Sequence, residues 1–174
     1  MGQFDGHNGS NEKMKTWVTS DLHFGHKNIM TFCRQARERF KLDLDYMNET
    51  MVKEWNELIA PEDTVYILGD VAFLPAQKAT EYMRRLNGNK ILIEGNHDRK
   101  LLNDPSFRNE FVEVHSYLRL VYEGTVICMF HYPIAEFDQM HRGAIHLHGH
   151  LHGNTSGLEH FRVRDMGMDA TGNI

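Results

Sequence analysis

The 174-residue sequence predicts an α/β domain in which two packed sheets carry helices on their outer sides. Two observations lead there. Up to Asp104-Pro105, short apolar runs rich in β-branched residues alternate with stretches of helical spacing; beyond it, such runs follow one another without helices. No repeat, linker or low-complexity segment divides the chain. Its length suits one domain whose core needs neither disulfides nor a structural metal.

Taken in order, residues 1–13 are rich in Gly and Asn and read as a flexible tail or a leftover of expression. Met14 is an alternative start, and the domain is taken as residues 14–174. Thr16 to Ser20 is the first strand, running into Asp21-Leu22-His23-Phe24-Gly25-His26. Residues 27–40 predict a short helix followed by an irregular basic stretch. A second helix starts near Asp45 as its N-cap and ends at Ala60, before Pro61. Its Met47, Met51, Trp55, Leu58 and Ile59 fall at helical spacing. Thr64 to Leu68 is an apolar strand stopped by Gly69-Asp70. From Pro75, a first-turn proline, to Leu86 a helix places Ala76, Ala79, Met83 and Leu86 on one face, and Asn87-Gly88 caps it. Ile91 to Ile93 is a buried strand ending at Gly95 and the polar cluster Asn96, His97 and Asp98. Val112 to Tyr122 and Thr125 to Phe130 read as two strands around a Glu123-Gly124 hairpin turn, the second ending in His131. Ala144 to His148 leads into Gly149-His150-Leu151-His152-Gly153, and Phe161 to Met168 alternates as a last strand.

Composition narrows the function. The formal charge is −5 and no Lys/Arg run occurs, which argues against a large nucleic-acid footprint. Cys33 and Cys128 form no CxxC pair, so neither a disulfide framework nor a zinc knuckle is indicated, and a reduced cytoplasmic setting is expected. No apolar run approaches the roughly 18 residues of a membrane span, and the start lacks the apolar core of a signal peptide. Histidine stands out, with 12 residues, six of them between His141 and His160.

Five predicted strands end in potential metal ligands: Asp21 and His23, then Asp70, then Asn96 and His97, then His131, then His150 and His152. Each element alone is weak, because a Gly-Asp dipeptide is usually a turn and an isolated histidine is usually packing. Five at the same end of successive strands are not explained by turn chemistry. In open α/β sheets that end is where ligands bind. Carboxylates, neutral imidazoles and an amide oxygen suit borderline-hard divalent metals such as Mn, Fe or Zn rather than a thiolate site.

The order Asp-x-His, Gly-Asp, Gly-Asn-His-Asp, His, Gly-His-x-His, spread from Thr16 to His152, resembles the calcineurin-like metallophosphoesterase superfamily. The wording from Ser20 to Ile29 resembles its small, uncapped members, including bacterial and phage ones. The resemblance implies a four-layer α/β/β/α sandwich of two mixed sheets flanked by helices, with two divalent metals at the carboxyl edges of the strands. Mn leads among these, with Fe, Zn or Ni as alternatives. Carried over position by position, Asp21, His23 and His152 hold the first metal, Asn96, His131 and His150 the second, and Asp70 bridges them. Two cations roughly 3.5–4 Å apart need such a shared anion. A hydroxide bridging the metals would attack phosphorus in line. The counterpart of His97 protonates the leaving oxygen or stabilises the transition state, a role open to histidine near neutral pH. Asp98 could orient His97 or be structural. Asn96 and His97 would also face substrate.

Other residues carry two readings each. His26 could reach substrate phosphate or stand exposed on its loop, and Arg99 could bind phosphate or be solvated. His146 and His148 alternate with Ile145 and Leu147, which puts both on one sheet face in a packing role, His148 nearer the metals. Arg34, Arg37, Arg39 and Lys41 around Phe40 read as a solvated face before a grip on a polyanion. The expected activity is phosphodiester hydrolysis of a small phosphorylated substrate, with no dedicated nucleic-acid domain and no membrane. The alternatives are a DNA or RNA nuclease, and a non-catalytic scaffold on the same fold, against which the full ligand set argues.

Overall fold

The computed structural model describes residues 2–5, 14–154, 156–158 and 162–173. Four parallel strands, β2 (Lys15–Thr19), β3 (Thr64–Ile67), β4 (Asn89–Ile93) and β5 (Glu113–His115), lie side by side in chain order. β1 (Gly2–Asp5) adds an antiparallel edge, Gly2 opposite Val18. Residues 2–5, expected within a flexible tail, are thus placed as a strand that pairs the otherwise open backbone of β2; residues 6–13 lie outside the described ones.

Parallel neighbours need crossover connections. The first is long: α1 (Ile29–Phe32), α2 (Arg34–Arg37), a 3₁₀ turn at Glu38–Phe40 and α3 (Leu44–Leu58). α4 (Ala76–Arg85) makes the second, and α5 (Arg99–Leu102) with α6 (Pro105–Arg108) the third. Met47, Met51 and Trp55 of α3 and Ala79 and Met83 of α4 share one buried cluster with Trp17, Val65, Ile67 and Leu92. Because strand side chains alternate, Val18, Leu68 and Ile93 face the other way. There they meet Ile127, Met129, Leu147 and Met166 of the second sheet.

That second sheet runs β6 (Leu118–Tyr122), β7 (Thr125–Met129), β8 (Ile145–His148) and β9 (Val163–Asp165), with β6–β7 antiparallel and the other pairs parallel. The hairpin turn is where the sequence put it: Glu123 and Gly124 both take left-handed φ, 47° and 79°, the geometry of a two-residue type I′ turn. The α/β architecture of two mixed, face-to-face sheets with flanking helices is therefore as expected. On the outer face of the second sheet, Val126, Cys128 and Ala144 are buried with Phe137 against them. The cover there is the 130–144 segment, whose regular structure is a single 3₁₀ turn, Met140–Arg142.

Four places differ from the sequence reading. The basic stretch from Arg34 to Phe40, expected to be irregular, is α2 and the 3₁₀ turn. The run from Val112 to Tyr122 is two strands, because the chain leaves the first sheet after His115 and enters the second at Leu118. Asp43 rather than Asp45 caps α3, its carboxylate accepting from the Tyr46 N–H at 3.0 Å. The last strand is confined to Val163–Asp165, and Met168–Thr171 turns into a further short helix, α7; residue 161 lies outside the described ones. Just past β9, Gly167 bridges Ser20 in parallel, so the carboxyl ends of strands from both sheets converge.

Candidate metal centre

The loops at that convergence are tied to one another before any side chain is considered. The N–H groups of Asp21, His23 and Phe24 donate to the carbonyls of Gly69, Asp70 and Val71, each at 3.0 Å, zipping the loop after β2 onto the loop after β3. Two glycines permit the approach. A Cβ on Gly95 would collide with Asp70 Oδ1, and one on Gly149 with Ser20 Oγ and Asp21 Oδ2. Ten described residues other than glycine hold left-handed φ, and five of them are Asp21, His23, Asp70, His150 and His152. Such backbone is strained for an L-residue and persists where surrounding structure over-determines it, typically at functional sites.

The side chains so aimed fall into two groups. Asp21, His23 and His152 offer ligand atoms within 4.8 Å of one another, and so do Asp70, His131 and His150. His150 and His152, separated by one residue, therefore serve different groups. Asp70 stands between the groups: its Oδ2 is 3.7 Å from His23 Nε2 and its Oδ1 3.5 Å from His131 Nε2. Asn96 joins the second group, its Oδ1 3.0 Å from His131 Nε2.

The donor chemistry fits cations. Asp21 Oδ1 and His23 Nε2 are buried and have no hydrogen-bond partner, a costly state for polar atoms unless something else satisfies them. His131 hydrogen-bonds through Nδ1 to the Leu68 carbonyl at 2.7 Å. With that proton on Nδ1, Nε2 turns its lone pair toward the oxygens of Asn96 and Asp70. Lone pairs facing lone pairs are what a metal ion satisfies, and a histidine whose other nitrogen is held by a carbonyl is a common form of ligand. Burial, followed by the Arg37 guanidinium, pushes His23 far below its ordinary pKa, so its ring is neutral. Burial raises Asp21 to about 6, against the attraction of His152 and His131. A cation would reverse that penalty.

His97 stands at the mouth, its side chain 39% exposed and its Nε2 3.8 Å from Asp70 Oδ2. Its backbone N–H donates to Asp70 Oδ1 at 3.0 Å. Of the two readings of Asp98, its contacts are those of the structural one. Its buried carboxylate accepts from the N–H groups of Asp70, Val71 and Gly95, each at 2.9 Å, and so holds the Asp70 loop against the Gly95 loop. His26 pairs with His23 through their Nδ1 atoms at 3.1 Å, buttressing a candidate ligand from the rim. Arg99 is well exposed, 3.3 Å from Glu94, and lines a cavity next to Asn96 and His97. His146 and His148 do share a face, buried on the outer side of the second sheet, with His146 bonded to the Cys128 and Tyr132 carbonyls.

Sequence reasoning missed two residues. Asp169 on α7 accepts from His152 Nδ1 at 2.7 Å and from Arg37 Nε at 2.6 Å. Arg37 is no part of a solvated face: it is fully buried and also donates to the backbone carbonyls of Asp21, at 2.7 Å, and Leu22, at 3.1 Å. Burial would lower the His152 pKa, but its hydrogen bonds to Asp169 and Cys33 hold it up at about 10. Nothing local marks Asp169, which lies 132 residues from Arg37.

Two mixed sheets that gather carboxylates and imidazoles at one edge, in two groups sharing an aspartate, define a protein of the metallophosphoesterase type. The chain belongs to the calcineurin-like phosphoesterase family, whose profile matches residues 14–168. It is 32% identical over 142 residues to an uncharacterised protein of Methanocaldococcus jannaschii, covering 80% of this chain and 70% of that one. It is 29% identical over 188 residues to the gene 66 protein of Mycobacterium phage L5, covering 91% and 88%. Among solved structures, a protein of unknown function from Aquifex aeolicus shares the fold, with a TM-score of 0.66 at 24% identity over 90% of this chain and 91% of that one. Among the described residues, no helix is long and apolar enough to cross a membrane.

Proposed function

We propose that this chain is a metal-dependent hydrolase of small phosphate esters, diesters ahead of monoesters, working with two divalent cations, Mn²⁺ first among them. One observation carries the reading: a single buried carboxylate, Asp70, presents one oxygen to each ligand group. Two cations roughly 3.5–4 Å apart tolerate each other only with a shared anion. Bound there, such cations neutralise phosphoryl oxygens and acidify water.

Asp21, His23 and His152 would hold one cation, and Asn96, His131 and His150 the other. The residues around them do the rest. The Leu68 carbonyl fixes the His131 tautomer, the Asp98 carboxylate locks the Asp70 loop, and His97 at the open mouth hands a proton to the leaving oxygen. The diester preference rests on likeness to small uncapped family members. A reduced cytoplasmic setting accords with the two free cysteines.

Hydrolysis of bis-p-nitrophenyl phosphate with Mn²⁺ tests the reading. Turnover should vanish with a chelator and return with Mn²⁺. Asp70→Asn should lower occupancy of both metals, and two tightly held metals in that variant would overturn the shared-anion role. Oligonucleotides hydrolysed far faster than small diesters would move the assignment to a nuclease.

A further inference from the structure

A cavity of about 500 Å³ opens beside His97 and shares only Asn96 with the two ligand groups. Phe73, Leu74 and Pro75 give it an apolar lining, and Arg99 and Lys100 line it too. Phe73 is the unusual member. It follows Asp70 by three residues, its backbone is pinned by donation to the Phe24 carbonyl at 2.7 Å, and it is nevertheless 49% exposed. A phenylalanine serving the core would be covered.

What touches the Phe73 ring is the centre itself. His26 stacks on it at 4.3 Å and 16°, and His97 meets it at 4.9 Å and 64°. The ring is therefore held by His26 and His97 and still leaves about half of its residue surface exposed beside the cavity. A fixed, exposed aromatic surface next to a proton donor suits a flat partner, because stacking two rings removes apolar area from water without a large ordering cost. The two cations in the lining suit a ligand that also carries negative charge.

We infer that this cavity receives the ester group on the His97 side of the centre. That group carries a flat heteroaromatic ring, as a nucleoside does, which stacks on Phe73. The inference rests on the phosphoesterase reading, and its test separates the two. Adenosine monophosphate and glycerol phosphate offer the same phosphate and differ in the ring. Titrated calorimetrically into the Mn²⁺-loaded protein, the first should bind tighter by roughly five- to a hundredfold, the range base–aromatic stacking supplies. Phe73→Leu, which keeps apolar bulk at an exposed position, should erase that margin while both phosphates still bind. Equal affinities in the unaltered protein, or a margin that survives Phe73→Leu, would overturn the platform and leave the phosphoesterase reading standing. Failure of both phosphates to bind would overturn the platform, and the phosphoesterase reading falls with it only if bis-p-nitrophenyl phosphate is not hydrolysed either.

Discussion

Asn96 and His97 are adjacent in sequence and divide holding from reacting. The Asn96 amide oxygen lies against His131 Nε2 and has no proton to exchange near neutral pH. The His97 ring stands on the other side of Asp70, reachable from solvent and 5.9 Å from the His23 ring centre. His97→Ala should therefore keep the fold and both metals. It should slow hydrolysis of esters with alkoxide leaving groups by roughly 10²–10⁴, the range for general acid–base assistance. The deficit should shrink for p-nitrophenolate, which leaves without a proton. Metal analysis and the two rates check this together: a lost metal makes His97 a ligand, and equal slowing of both substrates makes it an electrostatic stabiliser. For Asp98, one residue on, a structural role was one of two legible readings, but its partners were not, because adjacency to His97 says nothing of the three backbone N–H groups its carboxylate meets.

Secondary-structure elements were the most legible part, and their ends the least. Helical spacing picked out α3 and α4 because their buried faces do pack on one side of the first sheet. The break between β5 and β6 was hidden because both halves are extended and alternate apolar with polar residues, and only their partners differ. Element ends are set by polar groups whose partners are remote, as Asp63 illustrates. Its buried carboxylate accepts from Trp17 Nε1 at 2.9 Å, the Lys15 N–H at 2.8 Å and the Ala60 N–H at 3.1 Å, joining the start of β2 to the turn before β3. Burial alone would raise its pKa, but the hydrogen bonds from Trp17 and from the Lys15 and Ala60 backbone bring it below the ordinary 3.8. A carboxyl with a lowered folded-state pKa contributes stability that is complete above the unfolded value and lost as pH falls through the folded one. Asp63→Asn should cost about 1–3 kcal/mol near neutral pH, the scale for leaving buried donors unsatisfied. Urea midpoints of the two proteins should keep their gap down to the ordinary carboxylate range and converge below it. A gap that widens on acidification would refute the assignment.

Across the whole molecule, the sequence could announce which side chains end the strands, because each sits beside its own glycine or polar turn. It could not announce what holds them from a distance. Asp169 and Arg37 come from opposite ends of the chain and meet with no side-chain exposure. Arg37 grips the carbonyls of Asp21 and Leu22 while Asp169 accepts a hydrogen bond from His152 Nδ1, so one buried pair sets both the β2 loop and the far histidine of the first ligand group. Hydrogen bonds from His152 and Arg37 outweigh burial and keep Asp169 below its ordinary pKa, hence an anion. A carboxylate on the outer nitrogen orients a ligand histidine and raises its basicity, and losing it typically costs 10–100-fold in metal affinity. Asp169→Asn keeps the shape and removes the charge. Calorimetric Mn²⁺ titration should show one binding step weakened by about that factor while the Asp70, His131 and His150 step stays in place. The same variant leaves Arg37 buried without its counter-charge, which costs several kcal/mol, so the titration belongs well below the variant's melting temperature. Arg37→Lys supplies the second arm. It keeps Asp169 paired with a cation but loses the fork that spans two carbonyls, and it should weaken the same step and not the other. If both variants melt earlier yet bind both metals as the unaltered protein does, the pair is a structural clasp, and the positioning of His152 must come from its own strained loop.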